Sequence, residues 1–541
     1  MPKGIIRSIN HPSKCPSMWL LAATMCLCPA VAGACGLGSG DTATGTEALA
    51  HECGGANNTA DGFQALYFNT TGDDNTASGT WALPYNTTGY GNTASGYEAL
   101  FSNTTGNNNT ASGNFALYHN TTGLDNTANG VYALYSNTTS DHNTASGYGA
   151  LYSNTTGHEN TASGYEALFS NTTGTYNTAS GYEALFSNTT GHDNTASGYY
   201  ALYSNTTGYG NTADGYEALY SNTTGFYNTA SGMQALYSNT TGNNNTVIGL
   251  GALYRNTTGS GNTATGRGAL QSNTTGYSNI ASGLYALAQN TTGYGNTADG
   301  YYALYANTTG TGNVAYGYQA LKASTGSSIN NVALGTNALL ALTAGNSNIA
   351  LGTGAGSHTT SGNSNIYIGH GGINGSESNV TRIGTGQTAT FIAGISGVAL
   401  SGATVVVNSS GQLGVVTSSA RYKRDIKPLA GSSAGGKLAQ LRPVSFRYKS
   451  EPNATHYGLI AEEVAKVMPE LVVRDSKNRP DSVQYLEIVP LLLQQWKAQQ
   501  TEIARQRKLI ERQQAELAEL RQALATRLAA LDKAPGANSA R

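Results

Sequence analysis

Charge is scarce in this 541-residue chain: 11% of its residues are Asp, Glu, Lys or Arg, against about a quarter in an ordinary globular protein. Lys and Arg are missing altogether between Lys14 and Arg255. Residues 35–417 hold four basic and 17 acidic residues, a net charge of −13. Such a body would be repelled by nucleic acid, which is bound through clustered Lys and Arg. Proline is sparse at 12, and beyond the N-terminus no apolar run reaches membrane length. Glycine, at 69, is nearly twice its usual share but does not recur every third residue, so collagen is excluded. Small apolar residues recur at a strict period, which argues against disorder. What is abundant is Gly, Asn, Thr and Tyr (34 Tyr against 9 Phe), the composition of a repeat protein. Residues 421–541 differ in kind, with 21 basic and 13 acidic residues and a charge of +8.

Lys3, Arg7 and Lys14 precede an apolar run from Met18 to Val31, which ends in Ala32-Gly33-Ala34. A basic start, a short apolar core and a small-x-small site read as a secretory signal peptide cleaved between Ala34 and Cys35. A new N-terminal Cys35 resembles a lipoprotein site, with Ala32 where Leu is usual. Otherwise Cys35 and Cys53, the two cysteines of the mature chain, would be able to pair in an oxidising compartment.

From Asp41 a unit N-T-A-x-G-x-x-A-L-x-x-N-T-T-G-x-x recurs every 17 residues, and 17 units run in register to the one starting at Asn313. Looser units begin at Asn331 and Asn348, and a degenerate one at Asn365. A short strict period makes each unit one coil stacked on the next, and 17 residues are too few for a helix pair. The expectation is a β-solenoid or β-roll of about 90 Å. Ala and Leu at the eighth and ninth positions would fill a narrow interior. Gly at the fifth and fifteenth would turn corners with positive φ, a region the Asn residues at the first and twelfth also tolerate. Stacked Asn side chains would form hydrogen-bonded ladders. Whether the Thr and Ser of N-T-A-S-G face in or out is open at this point. The aromatic at the tenth position (Tyr118, Tyr135, Tyr152, Phe169) reads either as a stripe gripping carbohydrate or, more simply, as a stacking ladder. The N-T-T sequons follow from the repeat itself.

The units N331-V-A-L-G, N348-I-A-L-G and N365-I-Y-I-G resemble the head repeats of trimeric autotransporter adhesins. That resemblance implies a trimeric left-handed β-roll. No membrane β-barrel signature follows, so an autotransporter as such is not expected. Downstream, Thr404-Val405-Val406-Val407 and Leu413-Gly414-Val415-Val416 flank a turn at Asn408–Gly411 and read as a hairpin neck.

Next come Ser418-Ser419-Ala420-Arg421-Tyr422-Lys423-Arg424-Asp425-Ile426, Leu441-Arg442-Pro443-Val444-Ser445-Phe446, His456-Tyr457-Gly458-Leu459-Ile460-Ala461-Glu462-Glu463-Val464 and Val483-Gln484-Tyr485. Together these resemble the intramolecular chaperone domain that ends phage endosialidases, tail spikes and tail fibres and cleaves itself with a Ser/Lys dyad. The resemblance implies Ser418 as nucleophile and Lys423 as base. Ser419 is a secondary nucleophile, because it stands where the family often has Asp, and His456 is either an assistant or a core histidine. A Ser hydroxyl needs such a base, and a Lys of lowered pKa can serve. Attack by Ser418 on the preceding carbonyl would open the 417–418 bond. Cleavage after Ser418 would need another chain's Ser.

Val489, Trp496, Ile503, Ile510, Leu517, Leu524 and Leu531 fall seven apart, with Gln499, Gln506, Gln513, Leu520 and Arg527 as the mixed second seam of a weak coiled coil. Pro490 suits a first helical turn.

The chain therefore reads as mainly β: signal peptide 1–34, repeat stalk 35–383, hairpin neck 384–417, small α+β chaperone and peptidase domain 418–484, coiled coil 485–533 and a disordered tail 534–541. The expected protein is an exported homotrimeric fibre or adhesin at the cell surface, with a surface glycan or another surface ligand as partner. Its one enzymatic act would be a single-turnover self-cleavage. No cofactor or metal is called for. An ice-binding solenoid would need a regular flat T-x-T array, and at the first strand only Thr42/Thr44 and Thr263/Thr265 fit. A glycan-cleaving enzyme would need an insertion to build a pocket, and the repeats have none.

Overall fold

A computed structural model describes residues 36–392, 404–408, 411–415, 417–429, 433–475 and 477–532. The signal peptide, its cleavage residues Ala34 and Cys35, and the tail beyond Asp532 lie outside the described residues. Cys53 is disulfide-bonded, and the other four cysteines are also outside that range. The chain divides at Thr390 into two units.

The first unit is a parallel β-solenoid whose three-residue strands form one 21-stranded sheet. Neighbouring strands pair in the register of the repeat, so that Thr178, Ala179 and Ser180 lie beside Thr195, Ala196 and Ser197. The middle Ala is buried while the flanking Thr and Ser are exposed, so the hydroxyls face out. Beyond the strands the same coil-to-coil pairing continues: Leu185 N–H donates to Ala201 O (3.0 Å), and Ser187 N–H to Tyr203 O (3.0 Å). Ala at the third and eighth positions and Leu at the ninth form one continuous core along the axis.

Two Asn ladders run beside that core. At the first position Asn194 Nδ2 donates to Asn177 Oδ1 (3.1 Å) and to Gly208 O (2.9 Å). At the twelfth, Asn205 Nδ2 donates to Asn188 Oδ1 (2.8 Å) and to the same Gly208 O (2.9 Å). Both rows are fully buried, which is tolerated because the amides pair along each row; the exception is Asn307 Oδ1, which ends the twelfth-position row without a donor. The Asn of every N-T-T sequon belongs to the twelfth-position row and is closed to modification in the folded chain.

The corners differ from expectation. The fifth-position glycines do have positive φ (Gly181, +143°), but the fifteenth-position glycines of the 17 regular coils and the ladder Asn residues do not. Space is tight at the fifteenth position, where one regular coil fits Ser140 by turning its hydroxyl onto the ladder amides of Asn137, Asn143 and Asn154. A Cβ on Gly72 would come within 2.6 Å of Asn69 Oδ1 and 2.7 Å of Asn86 Nδ2, and would strike Gly89 O. The remaining left-handed residues are the seventh, ninth and seventeenth of each coil, for example Glu183 (+50°), Leu185 (+52°) and Asp193 (+55°). A buried Leu in that region is unfavourable alone and is held there by the coil-to-coil hydrogen bonds.

The tenth-position aromatics stack, from Phe101 on Tyr118 (4.9 Å) through Tyr135 on Tyr152 (5.0 Å) to Tyr237 on Tyr254 (5.1 Å). The stacking ladder was the simpler of the two readings. A second ladder, not read from the sequence, joins the sixth-position tyrosines Tyr148, Tyr165, Tyr182, Tyr199 and Tyr216.

At the solenoid's C-terminal end Tyr367 replaces the third-position Ala and plugs the interior. Its hydroxyl donates to Glu377 Oε1 (2.9 Å) and accepts from Thr359 Oγ1 (3.0 Å), and Arg382 Nη2 donates to Glu377 Oε2 (2.8 Å). Burial pushes the Tyr367 phenol up to about 12, with the Glu377 hydrogen bond adding to the rise and that from Thr359 opposing it. A raised folded pKa means stability that is present below the ordinary tyrosine value and lost as pH rises towards about 12. The cap is expected to loosen in that alkaline window, with tyrosinate absorbance and amide exchange around residues 359–383 rising together.

The second unit begins with an antiparallel hairpin, Val405–Val407 with Leu413–Val415, closed by Gln412 N–H to Asn408 Oδ1 (3.0 Å). Further on, strands Val444–Tyr448 and Glu451–Gly458 pair, as do Val472–Arg474 and Pro480–Val483. Helices Ser433–Leu438, Ala461–Val467 and Tyr485–Asp532 complete the unit. Its buried core is small: Val464, Met468, Leu471, Val472, Val483 and Ile488. The long helix starts at Tyr485, so Pro490 lies inside it and not in its first turn. Ile488, buried in the core, holds those first residues helical before the proline.

Candidate functional site

Ser418 and Lys423 sit at either end of a single 3-10 turn, Ala420–Tyr422. The backbone enters extended at Ser419 (φ −68°, ψ 139°) and leaves extended at Lys423 (φ −118°, ψ 145°). Tyr422 N–H donates to Ser419 O (3.1 Å) and Lys423 N–H to Ala420 O (3.0 Å), which closes the turn. The Arg421 guanidinium lies over the Tyr422 ring, 4.9 Å from its centre. Ser418, Ser419 and Lys423 are all exposed, and among the described residues none makes a side-chain hydrogen bond. The dyad residues are thus near in sequence and flank one turn, but they are not bonded to each other.

His456 lies on strand Glu451–Gly458 opposite Phe446. Its ring stacks on Phe446 (5.8 Å) and meets the Tyr448 ring edge-on (5.0 Å). Its Nε2 is 3.5 Å from Glu451 Oε2, too far for a hydrogen bond, and makes none to Ser418 or Lys423. These contacts are those of a histidine packed on its own hairpin.

The other motif segments hold the unit together. Arg442 reaches Glu463 through two hydrogen bonds, Nε to Oε2 (3.2 Å) and Nη2 to Oε1 (2.5 Å), tying Leu441-Arg442-Pro443 to helix Ala461–Val467. Leu459 N–H donates to the Tyr485 hydroxyl (2.8 Å), which fixes the start of the long helix. Gly458 has no room for a side chain, since a Cβ would meet that same hydroxyl at 2.7 Å. The motif segments contain all of these residues, but the spacing of a lone Arg and a distant Glu carries no signal that they pair.

Among the described residues no cluster of His, Cys, Asp or Glu could hold a metal ion, and no helix is long and apolar enough to cross a membrane. No curated protein and no solved structure matches the chain. One family does: residues 418–473, which follow the solenoid and begin at Ser418 itself, match the family described as chaperone of endosialidase.

Proposed function

We propose that this chain is an exported fibre subunit whose C-terminal domain directs assembly of a trimer and is then released by self-cleavage beside Ser418. The observation that carries the reading is the chaperone of endosialidase match, which starts at Ser418 and lies C-terminal to a long repeat. A repeat of identical coils needs such a template, because chains pairing one coil out of step would bury the same residues.

Two features support assembly. The long helix leaves Val489, Trp496, Ile503, Ile510, Leu517, Leu524 and Leu531 exposed at seven-residue spacing. On the last coils of the solenoid, Leu334, Ile349, Leu351, Ile368 and Ile383 stand outward where earlier coils carry Thr and Ser. Release of the template would leave the fibre kinetically trapped in its assembled state.

The test is intact mass and native size of the full-length chain beside its Ser418→Ala variant. The wild type is expected to split next to Ser418, and the variant to stay whole and trimeric. If both stay whole, the domain is an oligomerisation tail without peptidase activity.

A further inference from the structure

The tenth-position aromatic ladder runs unbroken from Phe101 to Tyr254 and then stops. The next two coils place Gln271 and Ala288 in its register, and the seventh positions of the coils that hold Tyr254 and Gln271 are Gly251 and Gly268. A notch of about 230 Å³ opens at this break, lined by Gln234, Leu250, Tyr254, Arg267, Gln271 and Tyr285 over the two glycines. No insertion was needed to build it: substitutions within the period were enough.

Each wall has a definite chemistry. Tyr254 stacks on Tyr237 at 5.1 Å with one face, and on its other side the ladder offers no ring. Tyr285 leans across Gly268, where a Cβ would come within 2.5 and 2.6 Å of its ring carbons. Above Gly251 the space is open, its nearest neighbour being Gln271 Nε2 at 4.0 Å from a Cβ position. Gln234 is oriented by its Nε2 donating to Glu217 Oε2 (2.9 Å). Arg267 is exposed and has no carboxylate partner among the described residues. Between Lys14 and Lys322 the chain has two cationic side chains, Arg255 and Arg267. Arg267 lines the notch, and Arg255 follows Tyr254 directly in sequence. The break in the ladder therefore coincides with two of the four basic residues of an otherwise acidic stalk.

We propose that this notch binds one carboxylate-bearing sugar residue, a hexuronate. A cavity smaller than the roughly 300 Å³ of drug-sized pockets suits a single pyranose ring. The apolar face of the ring would lie on tyrosine, its hydroxyls would meet the glutamine amides, and its carboxylate would take the planar fork of Arg267. The proposal rests on the surface-fibre reading for its biological sense. The notch itself lies within one chain's solenoid and is independent of cleavage.

The experiment is calorimetric titration of the full-length chain with glucuronic acid, with glucose as the neutral control. Arg267→Gln removes the carboxylate's partner. Gln271→Tyr extends the ladder over the notch with a residue that neighbouring coils already carry there, so the coil remains folded. Saturable glucuronic acid binding is expected, at least tenfold weaker for glucose and for Arg267→Gln, and lost in Gln271→Tyr. The Ser418→Ala chain is expected to bind as the wild type does, which separates failure of binding from failure of cleavage. The proposal is overturned if glucuronic acid does not bind the folded wild type, if glucose binds equally well, or if Gln271→Tyr binds undiminished.

Discussion

Asn194→Leu is expected to destabilise the middle of the solenoid by about 2–5 kcal/mol, although Leu is a common core residue of similar size. The side chain is buried and makes bonds in three directions. Its Nδ2 donates to Asn177 Oδ1 (3.1 Å) and Gly208 O (2.9 Å), and its Oδ1 accepts from both the backbone N–H and the Nδ2 of Asn211 (3.1 Å each). Gly208 O would keep the donation from Asn205, and Asn211 Nδ2 would keep Gly225 O. The Asn211 N–H would keep nothing, and a buried orphan donor costs about 1–3 kcal/mol before any repacking. Because each coil touches only its neighbours, the loss should be local. Native-state amide exchange is expected to speed up over residues 177–211 and hardly change near residues 76–110. Thr195→Ala, an exposed change one residue away, should stay within about 0.5 kcal/mol of wild type. Equal effects of the two substitutions would show that the Asn ladder is ornament and the Ala/Leu core alone holds the coils.

What the sequence revealed and what it hid divide along a physical line. Periodicity marks equivalent positions, so the solenoid, the Ala and Leu core and the Asn ladders were readable from spacing alone. It does not say which backbone region each position occupies. Leu185 at φ +52° could not be foreseen, because that conformation is unfavourable for leucine in isolation and arises from pairing between coils. Gly191 looks from the repeat like a corner with positive φ, whereas its real constraint is the crowding of carbonyl and ladder amides against it. The outward aim of the strand hydroxyls does not follow from the sequence, because Thr-Ala-Ser alternates polar and apolar over only three residues, too short a run to fix the inner face. In the C-terminal unit the motif segments were legible as a set. The pairing of Arg442 with Glu463 and the helical start ahead of Pro490 are long-range effects that no local window contains. The notch carries no insertion to mark it in the sequence, being made of two glycines and an absent ring.

Ile510→Lys, which lies far along the chain from Ser418, is expected to stop self-cleavage as completely as Ser418→Ala does. A lysine serves as general base only when it has lost its proton, a state promoted by burial or by neighbouring cations. In the single chain Ser418 and Lys423 are both exposed and not bonded to each other, so under the proposed function the covering that completes the site would come with assembly. That assembly would in turn draw on the helix Tyr485–Asp532, whose apolar seam is unburied in one chain: Ile503 is 43% and Leu531 74% exposed. Full burial of each such side chain is worth about 1.5–3 kcal/mol, and its neighbours in the second seam are mostly Gln. Placing three ammonium groups in one layer of a trimer at position 510 would cost more than that layer contributes, since buried unpaired charge is strongly unfavourable. Wild type should therefore appear cleaved, Ser418→Ala whole and trimeric, and Ile510→Lys whole and monomeric by native size and intact mass. Ile510→Leu, which keeps the seam, should cleave as wild type does. If Ile510→Lys cleaved at the wild-type rate while monomeric, the dyad would be complete within one chain and the coupling of cleavage to assembly would be wrong.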